Sequence, residues 1–375
     1  MGHPESFTLS NLTDIDCYKY HQDNLLRLTF IPRYNIFPAI MSTKPNVGLV
    51  GVGHLGRIHL QKLQKIESCN FVGFYDIDRE KSEQVAKETG AYSAESLADI
   101  IEKSDIVSVV VPTHDHHKVG LEVLESGKHI FMEKPLTETA GQAEELVRMA
   151  EQKGLKFGVG HIERFNPAVQ AMAGKIGKPM FIEAHRLNPF NPRGLDVAVI
   201  SELMIHDIDL CLYFTQSEIT DIQASAVQVL SDKMDIANAR LTFESGCVAN
   251  LTASRISPSG MRKIRLFQRD NYLSFDLKEK KVDSYSLVDS GFDDKVLTGF
   301  STSFQYWETG KKIVFHQPKC SEYDMIEEEL RRFIDAVVSD KTPPVTGQEG
   351  LSALKVALEI ERKAQDSRAK INTSL

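Results

Sequence analysis

Three stretches of this chain carry residues whose types and spacing could do chemistry: a glycine array at 51–56, a Glu-Lys-Pro at 133–135 and a Glu-x-x-x-His at 202–206. Gly51, Gly53 and Gly56 stand in GVGHLG, directly after the apolar run NVGLV and at the head of a stretch with helical spacing over 54–66. A strand, a G-x-G-x-x-G turn and a helix together make a pyrophosphate cradle. The first glycine allows the tight turn, the second lets backbone approach the phosphates, and the third lets helix and strand touch. The helix start, with His54 and Leu55, adds N–H donors and the positive end of the helix dipole. Asp76 closes the next apolar run, 25 residues after Gly51. A carboxylate there accepts ribose hydroxyls and repels a 2′-phosphate, so NAD is expected as cofactor; Arg79, close by, leaves NADP open.

Lys134 ends the apolar run of GKHIFMEKP. Ligands collect at the carboxyl edge of a parallel sheet. A lysine at that edge can hydrogen-bond a reacting hydroxyl and stabilise the charge developing on it. Glu202 and His206, four apart in a mostly apolar segment of helical character, should share a face. The imidazole can take a hydroxyl proton near neutral pH, and the carboxylate can orient it. Pro112 and Thr113 in VPTHDHH end another apolar run and should line the nicotinamide side. His114, His116 and His117 lack the carboxylate or cysteine spacing of a zinc site, so no metal is expected. The blander readings are a surface lysine before a helix-starting proline and a satisfied core histidine. Their alignment with the glycine array weighs against both.

These residues need a scaffold. From residue 46 short apolar runs alternate with helical segments, the rhythm of a parallel, doubly wound sheet. The expected architecture is an α/β N-terminal Rossmann domain over 44–162. An α+β domain with a large, mainly antiparallel open sheet should follow over 163–345, and a C-terminal helix within 346–375 should pack back on the Rossmann domain. Residues 1–43 show no period and are expected to be a disordered extension or an arm, with Met41 as an alternative start.

Composition narrows the function classes. The net charge is −8, which argues against nucleic acid as a partner. Five widely spaced cysteines without a C-x-x-C favour a reducing, cytoplasmic setting. No apolar run reaches the length of a membrane span, so no membrane partner is expected.

The succession GVGHLGRIHL, VPTHDHH, GKHIFMEKP and ELMIHDID resembles the Gfo/Idh/MocA oxidoreductases, over about residues 45–365. The resemblance implies NAD-dependent hydride removal from a ring secondary alcohol of a sugar or polyol. It implies a cis Lys134–Pro135 bond that aims the lysine, with Glu133 and Lys134 beside the cofactor and His116 at a family histidine position near it. GHIERFNPAV, LMIHDIDL and TASRIS resemble more finely the branch that oxidises the 3-hydroxyl of UDP-N-acetylglucosamine-type sugar nucleotides. The family pair is usually Asp-x-x-x-His. Glu202 moves the carboxylate by about 1 Å, a misplacement that can cost roughly 100-fold in rate. Arg164, Asn166, Arg186, Arg193 and Arg255 are the expected substrate contacts, since a diphosphate calls for fixed cations. An inositol or free-sugar dehydrogenase and a non-catalytic NAD-binding sensor are the alternatives. The family also implies a homo-oligomer, dimer or tetramer, formed through the open face of the second sheet.

Overall fold

The computed structural model describes residues 44–191, 197–306 and 310–372. The N-terminal extension and Arg193 lie outside the described residues.

Five short apolar segments form a parallel sheet: β1 (Asn46–Val50), β2 (Asn70–Tyr75), β3 (Ile106–Val109), β4 (His129–Glu133) and β5 (Phe157–Gly160). Their order is β2-β1-β3-β4-β5. Helices α1 (His54–Leu63), α2 (Arg79–Thr89), α3 (Leu97–Lys103), α4 (Thr113–Glu125) and α5 (Ala140–Gln152) connect them. Every residue of β3 and β5 is buried, which is why both read as unbroken apolar runs. Ser93 adds one parallel bridge outside β2 at Phe74. That stub extends the strand order to the one typical of dinucleotide-binding sheets, and with a single paired residue it leaves no pattern in the sequence. The chain leaves β1 toward β2 and returns to β3 on the other side. The carboxyl ends of β1 and β3 therefore flank the crevice where such sheets hold ligands.

After β5 come α6 (Pro167–Ala171) and β6 (Phe181–Leu187). A π-helical turn, Ile200–Met204, then runs directly into α7 (Ile205–Thr215). The second sheet is completed by β7 (Ile219–Val227), β8 (Ile236–Phe243), β9 (Val248–Ser254), β10 (Met261–Phe267), β11 (Asn271–Asp276), β12 (Lys281–Asp289), β13 (Gly299–Tyr306) and β14 (Lys311–Pro318). Its order is β13-β14-β12-β11-β10-β6-β9-β8-β7, antiparallel except for β6 beside β9. The inner face buries Ile182, Ala239, Leu241, Leu266 and Phe275 against Ile208, Cys211 and Phe214 of α7. The outer face carries an aromatic ladder: Phe181, Phe267, Tyr272, Tyr285, Phe315 and Phe300, ring centroids 4.9–6.0 Å apart.

Two C-terminal helices join the layers. Helix α8 (Met325–Val338) packs Leu330, Phe333 and Ile334 against Val47, Leu49 and Phe131 of the first sheet, although its place in the chain puts it with the second. Helix α9 (Gly347–Asn372) is shared. Leu351 and Leu354 enter the Rossmann core, and Ala353, Ala357 and Ile360 enter the other. Among the described residues no helix is long and apolar enough to cross a membrane.

Candidate active site

The glycine turn has the shape its sequence demands. Gly51 has φ 93°, and a Cβ there would lie 2.4 Å from the Val110 carbonyl oxygen. A Cβ at Gly56 would lie 2.0 Å from the Gly51 oxygen, so α1 rests directly on the turn. At Gly53 a Cβ would meet nothing within 4 Å. That open face, beside the first-turn N–H groups around the exposed His54 and half-buried Leu55, is the room a pyrophosphate needs. Asp76 fastens the turn to β2: its Oδ2 accepts from the Val52 N–H at 2.8 Å, and its Oδ1 accepts from the Asp78 N–H at 2.9 Å and Lys81 Nζ at 3.3 Å. The exposed Arg79 pairs with Glu83.

Lys134 leaves the end of β4 through a cis bond to Pro135. Its Nζ donates to the backbone oxygen of Glu202 at 2.9 Å. Burial lowers the lysine pKa, against the opposing pull of the Glu133 and Glu202 charges. Glu133 turns inward rather than toward an open cofactor face. One carboxylate oxygen lies 3.1 Å from His59 Nε2 and the other accepts from the Lys134 N–H. Burial opposes its charge, but the His59 imidazole and Lys134 outweigh it and hold the pKa below the usual value. His116 corrects the sequence reading. It is 1% exposed, with Nδ1 2.9 Å from the Pro135 oxygen and Nε2 2.9 Å from the Val111 oxygen. It is a strut joining the cis-proline loop to the end of β3, and burial pushes its pKa down. Its neighbours diverge, His114 to solvent beside Asp115 and His117 to Glu145, so the three do not converge on a metal. Pro112 and Thr113 line an open cavity of about 780 Å³ together with Pro135 and Ser201.

His206 sits just beyond the π turn with Nδ1 buried and unpartnered. Burial, then the positive charges of Lys134, Arg186, His161 and Arg262, put its pKa well below the ordinary imidazole value. The expected orienting role of Glu202 is corrected: its carboxylate turns to Arg255 at 3.3 Å, and its backbone oxygen is what serves Lys134. A π turn is wider than an α turn, so the four-residue spacing does not carry the side-chain geometry of a regular helix.

Arg164 and Arg186 are held by the fold for a common reason. Arg164 forks onto Asp209 through Nε and Nη2, its Nη1 reaches Glu349 at 2.5 Å, and it lies over the Tyr213 ring. Arg186 forks onto Asp207 and donates to Glu163 at 2.8 Å. Asn166 donates to Glu163 and the Leu277 oxygen and caps α6. All three are buried, with their donors committed to the fold rather than to substrate. Arg255, also buried, donates to the Val197 oxygen beside Glu202. A basic residue shows its type in the sequence; the carboxylates that claim these two lie 21 to 185 residues away. His59, His161 and Arg262, which the sequence reading passed over, also belong to this neighbourhood.

Residues 45–161 match the model of an oxidoreductase family with an NAD-binding Rossmann fold, and residues 169–273 match the GFO/IDH/MocA C-terminal domain. A UDP-N-acetylglucosamine 3-dehydrogenase from Acidithiobacillus ferrooxidans is 40% identical over 240 residues, 64% of this chain and 76% of the relative. A solved structure of that enzyme superposes with TM-score 0.77 at 32% identity, covering 86% of this chain and 98% of the other. A scyllo-inositol 2-dehydrogenase (NAD(+)) from Bacillus subtilis is 26% identical over 85% of this chain and 93% of its own length. The chain belongs to the Gfo/Idh/MocA family of NAD-binding oxidoreductases.

Proposed function

We propose that this dehydrogenase oxidises a ring secondary hydroxyl of a UDP-N-acetylglucosamine-type sugar nucleotide, at the 3-position. The carrying observation is that half-buried Lys134, bonded to the turn that leads into α7, lies close enough to His206, whose Nδ1 is buried and unpartnered, for its charge to act on the imidazole. The family resemblance and the similar Acidithiobacillus enzyme support the substrate class. NAD, when bound, supplies the hydride acceptor. Gly51, Gly53, His54, Leu55 and Gly56 hold its pyrophosphate, Asp76 meets the ribose, and Pro112 and Thr113 border the nicotinamide. A neutral His206 takes the hydroxyl proton, and Lys134 donates to the same oxygen and stabilises its growing negative charge. Glu202 acts through its backbone oxygen, which fixes the lysine.

The outer aromatic ladder supports a second part of the proposal, a homo-oligomer that covers this face. Phe300 is 60% and Phe267 37% exposed on it, and contiguous exposed apolar surface of this kind marks an interface. Described cysteines 69, 211, 247 and 320 are free, which suits a reducing cytoplasm.

The test is NADH formation with NAD and UDP-N-acetylglucosamine, inositols and free sugars offered in parallel. Turnover of the sugar nucleotide, lost in Lys134→Ala, is the expected result. Turnover of inositols alone would move the substrate to the other branch of relatives. Size-exclusion chromatography with light scattering tests the oligomer, and a monomer at micromolar concentration would remove it.

A further inference from the structure

A nucleotide sugar carries two negative charges on its diphosphate, and Arg164 and Arg186, two of the arginines first expected to meet them, are held by internal carboxylates. The large cavity beside Thr113 is no substitute: its lining sets Glu138, Asp232 and Glu361 against Lys233. A second cavity, of about 480 Å³, opens between the start of β10, the β11–β12 turn and residues 162–166. Its cations are Arg262, Lys278 and Lys280, and its one lining acid, Glu163, is already bound to Arg186 and Asn166. Among the described residues no carboxylate lies within ion-pair distance of these three cations.

We propose that this cavity is the substrate's diphosphate subsite, with Arg262 as its anchor. The inference rests on the sugar-nucleotide reading above. Arg262 pairs with Arg186 across β10 and β6, so it lies on the inner side of the sheet, the side of buried Ile264 and Leu266. At the strand end that side opens, and Arg262 is exposed where a core residue would otherwise stand. It is near enough to the reaction centre for its charge to act on His206 and Asp207. The lysines are held at the same mouth: the Leu277 N–H donates to the Arg262 oxygen at 2.8 Å, and Asn166 Nδ2 donates to the Leu277 oxygen at 2.9 Å. A planar fork flanked by two point charges suits a diphosphate.

The experiment is calorimetric titration of the NAD-saturated full-length protein with UDP, so that the nucleotide cannot enter the cofactor cradle. It is repeated on Arg262→Gln and on Lys278→Gln/Lys280→Gln. Each variant should weaken UDP binding about tenfold or more, the loss typical of a charged hydrogen bond. The KM for UDP-N-acetylglucosamine should rise in step, while the NAD dissociation constant stays put. N-acetylglucosamine 1-phosphate should lose less than UDP, which separates a diphosphate site from a monophosphate one. Wild-type UDP affinity in both variants would overturn the subsite, even if the enzyme turns over the sugar nucleotide. UDP binding that the variants lose, without turnover of any sugar nucleotide, would keep the subsite and sink the 3-dehydrogenase reading.

Discussion

Two charge clusters lie side by side in this molecule, one around buried guanidiniums and one around the half-buried Lys134 and His206, and they are built on opposite rules. In one, Arg164 with Asp209 and Glu349, and Arg186 with Asp207 and Glu163, spend their donors on carboxylates in forked pairs. In the other, Lys134 reaches a single backbone oxygen and His206 Nδ1 meets no partner at all. Burial opposes charge in both. The first cluster overcomes it: both guanidinium pKa values end above their ordinary value because the carboxylates outweigh desolvation. The second yields to it: the lysine and histidine pKa values are both lowered. Saturated charge holds two layers together, whereas unsaturated donors and acceptors are what a substrate hydroxyl can use.

The sharpest way to break the contrast is to mutate each side and read activity and stability separately. Lys134→Ala and His206→Asn should each lower kcat/KM by about 10²–10⁴, the range of a lost acid–base group, with NAD affinity retained by calorimetry. Their melting temperatures should change little, since both side chains are half-buried and neither belongs to a saturated ion cluster. Arg186→Met should do the reverse to the fold. Removing one partner of a buried ion cluster strands the others and costs about 3–5 kcal/mol. Urea unfolding measures it, and a loss under 1 kcal/mol would show that Arg186 is not the tie described here.

The same contrast explains what could be read from residue order alone. The parallel sheet and its glycine turn were legible because each rests on local patterns, a buried apolar run and a G-x-G-x-x-G at a strand end. So were Lys134 and the helix carrying His206. Strand β6, whose FIEAHRL mixes charged with apolar residues, and the polar edge strand β13 carry weaker patterns. The ties of Arg164 and Arg186 are not legible in the sequence because their partners come from distant segments, Asp209 and Asp207. His116 was misread: a strand-end position looked open, but the cis-proline loop folds over it. The Glu202 spacing was sound as a helix pattern and was undone by the π turn.

A pH series sharpens the comparison on a smaller scale. His206, His116 and His161 are all held neutral in the fold, with pKa values below the ordinary 6.5. Groups depressed on folding bind fewer protons in the native state, so the stability linked to them is present above the unfolded value and lost as pH falls through the folded one. The melting temperature should therefore drop as pH falls below about 6.5, the reference histidine value. His206→Asn should soften that drop. The acid limb of kcat/KM should lie below the same point, since proton uptake on His206 removes the base. An acid limb centred above pH 7 would contradict the depressed imidazole.

The smallest effect comes from the border between the clusters. Glu329 of α8 is fully buried, and neither carboxylate oxygen has a hydrogen-bond partner. Burial raises its pKa well above the ordinary value, and the neighbouring charges of Glu133 on one side and Asp209 on the other raise it further. It therefore feels the reaction-side cluster and the tie cluster together, and both push it toward the protonated form. The linkage has the opposite sign from that of the histidines. The native state holds a proton that the unfolded chain releases above about pH 4.3, so this position costs more stability as pH rises. Glu329→Met, close in shape and without a charge to desolvate, should stabilise the protein by about 1–3 kcal/mol near neutrality, the cost of an unsatisfied buried polar group. The gain should be larger at pH 8 than at pH 5, measured by urea unfolding at both. A variant that is less stable at pH 8 than the natural chain would mean that Glu329 is ionised and paired, and that the border between the two clusters is itself a tie.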